Sequence, residues 1–239
     1  MKKNINEINS ARMVFYGLFA SAFTFIETDK NFTEIQNTIN LLSQNPLDTN
    51  SNDALIMMKS MLNDQGFEGL KDESNIVFYS PSTSYIPMTA SYYCEARDDG
   101  KKRREMLEFI NLSNFRRDTA TYKDNEDNVA FIFNFMHHLI KNTLDGDMNS
   151  EKITRGVFEH ILNEVVDQFA SNVYEHENSD FYKSMAVVLK VFIEYERHLY
   201  SLNRTKSIEV KEIVKNKGTK IKTPAKEKAK RNFDEFKTL

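Results

Sequence analysis

The chain has no tryptophan, one cysteine, four prolines and seven glycines in 239 residues. A lone cysteine, Cys94, cannot close an internal disulfide, so nothing staples the fold and a reducing cytoplasm is the simplest setting. Scarce glycine and proline leave few breaker positions, and no run of alternating apolar and polar residues marks a strand. The expected fold is therefore all-α. The nucleotide signatures G-x-G-x-x-G and G-x-x-x-x-G-K-[ST] are missing, as are G-x-S-x-G and the zinc patterns H-E-x-x-H and H-x-x-E-H. Their absence removes the usual routes to nucleotide chemistry, acyl transfer and metal catalysis. His137 and His138 do not restore a metal site, because adjacent helical residues point about 100° apart. Long apolar runs are lacking too. Residues 18–26 are too short to span a bilayer, contain Thr24, and run straight into Glu27 and Asp29. Arg12 interrupts their approach, so they read as a buried helix rather than a leader or a membrane segment.

Charge is unevenly spread. Residues 206–239 hold 11 Lys/Arg against 5 Asp/Glu, a balance of +6, so the overall −3 leaves −9 on the first 205. The expected organisation is one compact helical bundle over 1–205, of about nine to eleven helices, and a basic tail over 206–239, flexible or partly helical. A tail with Lys211 and Lys237 near its ends allows an alternative function, a helical adaptor associated with nucleic acid. The acidic body argues against nucleic acid lying on the domain itself.

Apolar spacing places the helices. The first is expected over about 8–26, with Ile8, Ala11, Phe15, Leu18, Phe19, Ala22 and Phe25 inward. Thr33 and Gln36 fit a capping box for a second helix carrying Ile35, Ile39 and Leu42. A loop over 44–52 precedes a third helix over 53–63. Residues 66–87 read as irregular, an aromatic loop holding Phe67, Phe78, Tyr79 and Tyr85. A turn at Asp98, Asp99 and Gly100 leads into a helix over 101–112. Residues 150–173 form a long amphipathic helix. Ser179 is the expected N-cap of a last one, with Phe181, Met185, Val188, Leu189, Phe192 and Leu199 inward.

Residues 123–144 stand at the centre of this pattern. An acidic segment, Asp124-Asn125-Glu126-Asp127-Asn128, opens an apolar helix whose inner stripe is Val129, Ile132, Phe133, Met136, Leu139, Ile140 and Leu144. Glu126 and Asp127 are expected in its first turn, where the helix dipole favours carboxylates. Three acids exceed what capping requires, and an acidic mouth beside an aromatic loop suits capture of a basic partner.

Taken in order, Arg12-x-x-x-Tyr16, Pro87 followed by Ser91-Tyr92-Tyr93, the acidic turn before a Phe-Met helix, and the closing helices with Phe158, Leu162, Phe181-Tyr182 and Phe192-Ile193-Glu194 resemble the TorD/DmsD (NarJ-like) family. These are cytoplasmic maturation chaperones for molybdenum enzymes. The resemblance spans about residues 11–202. In the family's E-P-x-D-H-like turn, Asp127 matches the Asp and Asp124 stands for the Glu, while Asn125 and Asn128 replace the Pro and His. The resemblance implies a non-enzymatic chaperone that binds the twin-arginine signal peptide of a molybdoenzyme catalytic subunit, its folded body, or both. Export then waits until molybdopterin is inserted in the client. Asp124, Glu126, Asp127 and Asn128 would meet the arginines, and Tyr79, Tyr85, Pro87, Met88, Ser91 and Tyr92 the apolar stretch. The chaperone itself would carry no cofactor. Weak guanine-nucleotide binding and a monomer or homodimer are further implications of the resemblance.

Overall fold

The computed structural model describes residues 2–120 and 122–205; the basic tail expected over 206–239 lies outside them. Among the described residues there are nine α-helical segments: α1 (Lys2–Phe23), α2 (Asp29–Leu42), α3 (Thr49–Ser74), α4 (Ala90–Glu95), α5 (Lys101–Leu112), α6 (Val129–Leu144), α7 (Met148–Val157), α8 (Asn163–Glu175) and α9 (Phe181–Tyr200). A π-helical turn, Phe158–Leu162, joins α7 and α8 into one continuous helix, and a second, Asn75–Tyr79, extends α3. The single extended pairing among these residues is an isolated antiparallel bridge between Thr89 and Asn128. The all-α expectation holds.

Helix α6 forms the axis of the bundle. Val129, Ile132, Phe133, Met136, Leu139 and Ile140 are all buried, as their spacing requires, while Leu144 is half-buried at the end. Helix α1 packs along it, with the rings of Phe19 and Phe133 5.4 Å apart. The His137 ring of α6 packs against the α1 backbone at Gly17, where a Cβ would stand 3.0 Å from its Nδ1. That nitrogen lies 2.8 Å from the Met13 carbonyl. A carbonyl only accepts, so Nδ1 carries the proton. On the far side of α1, Phe192 of α9 sits 5.0 Å from Phe15, 4.9 Å from Tyr16 and 5.5 Å from Phe19. Each such aromatic contributes about 1.5–3 kcal/mol through burial.

Several expectations change because tertiary partners override local signals. Ala11 and Phe25 face solvent. Helix α1 ends at Phe23, so Ile26 takes the core position expected of Phe25. Arg12, which interrupts the apolar pattern and opens the Arg12-x-x-x-Tyr16 match, is buried because Glu196 of α9 meets it in a two-pronged pair, Nε–Oε1 2.5 Å and the second nitrogen to Oε2 2.8 Å. Tyr16 donates to the same carboxylate at 2.8 Å. Helix α2 starts at Asp29, capped by Thr28 with Asn31, and the Thr33 hydroxyl instead donates back to the Asp29 carbonyl.

Helix α3 begins at Thr49 under an Asp48/Ser51 capping box and continues past Asn63. It kinks at Gly66, whose φ of 64° favours glycine, and runs on to Ser74. Much of the segment read as irregular is thus helical, because Leu70, Val77 and Phe78 find core positions there. Ser179 does not cap α9. The carboxylate of Glu73 does, accepting from the amides of Asp180, Phe181 and Tyr182 at 2.9, 3.1 and 3.0 Å. Leu199 lies exposed in the last turn of α9.

Candidate functional site

The two stretches singled out by the sequence meet at the Thr89–Asn128 bridge. Residue 86, just before Pro87, is biased toward extended backbone, and Thr89 is extended at φ −107° and ψ 136°. The segment therefore runs antiparallel to the turn that precedes α6. Ala90 N–H donates to the Asp127 carbonyl and Val129 N–H to the Met88 carbonyl, both at 2.8 Å. The acids fall in a β-turn closed by Asn128 N–H to the Asn125 carbonyl at 3.0 Å, one step before the helix rather than in its first turn. Asn128 is the N-cap of α6, its side-chain oxygen accepting from Ala130 N–H at 2.9 Å.

Each buried motif residue turns out to hold a neighbouring element. Asp127 is fully buried, and its Oδ2 accepts from the Ser91 amide at 2.9 Å. That amide is in the first turn of α4, whose own N-cap Thr89 offers no side-chain bond. Asp127 Oδ1 is buried without a hydrogen-bond partner. Ser91, also fully buried, passes the chain of caps onward. Its Oγ accepts from Gly100 N–H at 3.0 Å and Arg103 N–H at 3.2 Å, at the start of α5. Gly100, the N-cap of α5, has no side chain to do so.

Glu126 is spent on two arginines. Arg103 Nε meets one oxygen at 2.8 Å and Arg117 Nε the other at 3.0 Å. Burial pushes this carboxyl up, but the hydrogen bond from Arg103 and the charges of both arginines hold it below the usual carboxylate range. Arg117 also donates to the Asp124 carbonyl. The mouth of three acids is therefore different in detail: Glu126, Asp127 and Asn128 face inward, and Asp124 alone of the three acids is exposed.

Around Asp124 the surface is aromatic. Tyr79 is 48% exposed, its ring edge-on to Phe25 at 5.2 Å. Partial burial, then the Asp124 charge, pushes its phenol up to about 12. Burial and Asp124 push Tyr122 the same way, and its ring lies 5.3 Å from Phe131. Tyr122 belongs in turn to a cleft of about 550 Å³ between α1, α6 and the 113–122 segment, with Phe115, Phe131, Phe135 and His138 along its walls and Arg117 at its edge. Burial, with His137 and Lys141 nearby, holds His138 below its usual value, and Arg116 and Asp118 also line the cleft.

Tyr85 and Tyr92 form a separate pair, rings 6.0 Å apart, beside Asp98; Tyr85 is mostly exposed. Pro87 is buried and Met88 half-buried. The sequence reading missed Arg103, Arg117 and Tyr122. Asp99 and Arg103 at i, i+4 were the only local signal of the first. Arg117 and Tyr122 lie in a polar stretch whose folding back onto Glu126 no local pattern announces.

No grouping of three or more His, Cys, Asp or Glu side chains suited to a metal ion occurs among the described residues. None of the helices among them is long and apolar enough to cross a membrane. No curated protein matches the chain. The profile of the nitrate reductase delta subunit family does match, over residues 44–175. That range is more than half of the chain, and it contains the whole bridge, both cap relays and the Glu126 arginine pair. The chain therefore belongs to the nitrate reductase delta subunit family, TorD/NarJ-like chaperones that mature molybdoenzymes rather than catalyse a reaction.

Proposed function

We propose that the chain acts in the cytoplasm on a molybdoenzyme catalytic subunit by binding its twin-arginine leader, delaying export until the molybdenum cofactor is in place. One observation carries this reading. The exposed carboxylate of Asp124 stands beside Tyr79 and Tyr122, and Tyr122 leads directly into a cleft walled by Phe115, Phe131 and Phe135, with Arg116, Arg117 and Asp118 also on its lining. A twin-arginine leader offers the matching order, guanidinium groups followed by an apolar run. Charge-assisted bonds to a carboxylate and stacking on phenol rings suit the first, and the phenylalanine walls suit the second. Glu126, Asp127 and Ser91 serve the site by fixing the turn that presents Asp124.

Calorimetric titration of the full chain with a synthetic twin-arginine leader tests this. Binding at roughly micromolar Kd or tighter is expected. Asp124→Asn should weaken it by about tenfold, the scale of one charge-assisted bond, and added salt should weaken it further. A leader that gives no heat and no displacement overturns the reading, as does full affinity in Asp124→Asn.

A further inference from the structure

Thr89 and Asn128 face each other as a non-hydrogen-bonded antiparallel pair, since the bonds between the two strands run from Ala90 and Val129 on either side of them. In such a pair the Cα atoms stand about 4.5 Å apart and both side chains lie on one face. Each of these two side chains holds an aspartate. The Thr89 hydroxyl donates to Asp98 Oδ1 at 2.5 Å, and the Asn128 side-chain nitrogen donates to Asp124 Oδ2 at 3.4 Å. Asp98 and Asp124 therefore flank one bridge, a carboxylate against each strand, on the order of 10 Å apart.

Ion pairing sorts these two acids from their neighbours. Glu95 pairs with Arg97, Asp99 with Arg103, and Glu126 with Arg103 and Arg117. Asp98 and Asp124 are both exposed, and neither pairs with a lysine or arginine among the described residues. Each also has tyrosines of its own. Tyr79 and Tyr122 stand by Asp124, whose charge acts on both phenols. Tyr85, 64% exposed, stands by Asp98, whose charge adds to partial burial in pushing that phenol up, and the Tyr92 ring lies 6.0 Å from it. A free carboxylate beside aromatic rings is the chemistry that takes a guanidinium. The fold supplies it twice.

We propose that Asp98, Tyr85 and Tyr92 form a second arginine subsite, so that the two arginines of the leader divide, one to each side of the Thr89–Asn128 bridge. The inference rests on the leader-binding reading above and assigns a separate partner to each cation. Consecutive residues of an extended segment have Cα atoms about 3.8 Å apart and point to opposite sides, so two adjacent arginines send their guanidinium groups apart. Laid over the bridge, they reach both carboxylates. Arginines separated by one residue point to the same side and reach only one. The spacing of the two subsites thus selects an adjacent pair.

Calorimetric titration of the full chain tests this with four synthetic peptides. One is a leader with adjacent arginines before an apolar run, two have a single arginine replaced by glutamine, and one has an alanine inserted between the arginines. Asp98→Asn keeps an acceptor for the Thr89 hydroxyl, so its thermal midpoint should be unchanged while Kd for the adjacent pair rises about tenfold. Tyr85→Leu, at an exposed ring, should raise Kd about threefold. In double-mutant cycles Asp98→Asn should cost nothing further against one single-arginine peptide and its full factor against the other, with Asp124→Asn showing the reverse. The alanine-spaced peptide should bind about tenfold more weakly than the adjacent pair. Full affinity in Asp98→Asn, with Asp124→Asn weakened, overturns the second subsite and leaves the leader reading standing. An equal loss against both single-arginine peptides overturns it too, as a general effect of charge, and so does undiminished binding of the spaced peptide. A leader that fails to bind the unaltered chain removes both readings.

Discussion

The carboxylate of Asp127 accepts a 2.9 Å hydrogen bond from the backbone amide of Ser91, 36 residues earlier in the chain, and both side chains are fully buried. An acid that resembles a ligand contact is thus the cap of a six-residue helix in another segment. Asparagine keeps an oxygen that can accept from the Ser91 amide, whereas alanine leaves the amide unmet. Asp127→Ala should cost about 1–2 kcal/mol, and Asp127→Asn clearly less, in urea unfolding. The same pair separates roles at the surface: Asp124→Asn should leave stability within about 0.5 kcal/mol, since the residue is exposed.

Ser91 carries the relay onward, so its loss should spread. Ser91→Ala removes the acceptor for the amides of Gly100 and Arg103 at once. A loss of about 1–3 kcal/mol is expected, because the Gly100 amide is left unmet in a buried place and the Arg103 amide in a half-buried one. Amide hydrogen exchange should show the first turn of α5 opening first.

The Arg12–Glu196 pair offers a sharper energetic test. Arg12→Met alone strands a carboxylate that is 0% exposed, and a loss of about 3–5 kcal/mol is expected. The double change Arg12→Met/Glu196→Leu should cost less than either single one, because no buried charge remains without its partner. Denaturant midpoints of the four chains measure the coupling.

Acid sensitivity follows from Glu126. Its folded-state pKa lies below the ordinary 4.5, so the folded protein binds the proton less readily than the unfolded chain. The stabilisation is therefore present above about pH 4.5 and is lost as pH falls through the lower folded value. In Glu126→Gln this part of the acid slope should disappear. Glu73 has the opposite sign, since burial raises it despite its three amide donors, and its contribution declines as pH rises. Stability measured across pH 3–7 in Glu126→Gln and Glu73→Gln should thus change in opposite senses.

Packing at Gly17 gives a last test. A Cβ there would stand 3.0 Å from His137 Nδ1, on a ring fixed by its bond to the Met13 carbonyl. Gly17→Ala should therefore cost about 1–3 kcal/mol, although alanine is the better helix former. A stabilised variant would show that the ring moves freely.

What the sequence determined by itself was the helical periodicity and the inner faces that follow from it. The bounds of α5 were readable because a glycine and two aspartates stop the chain before it, and the stripe of α6 because its apolar spacing has one solution. The buried set of the 150–173 helix, from Ile153 to Val173, was equally plain. Family membership was also legible, since ordered residue types survive as text. Tertiary structure decided which polar groups are used up inside. Arg12 faces inward only because Glu196, 184 residues away, neutralises it, and α9 starts where it does because Glu73, over 100 residues earlier, supplies the acceptor. Of the acids before α6, the fold spends Glu126 and Asp127 on Arg103, Arg117 and Ser91 and leaves Asp124 outside. Spacing reports which face a side chain shares with its neighbours along a helix. It carries no record of the distant donor that makes burying a charge affordable.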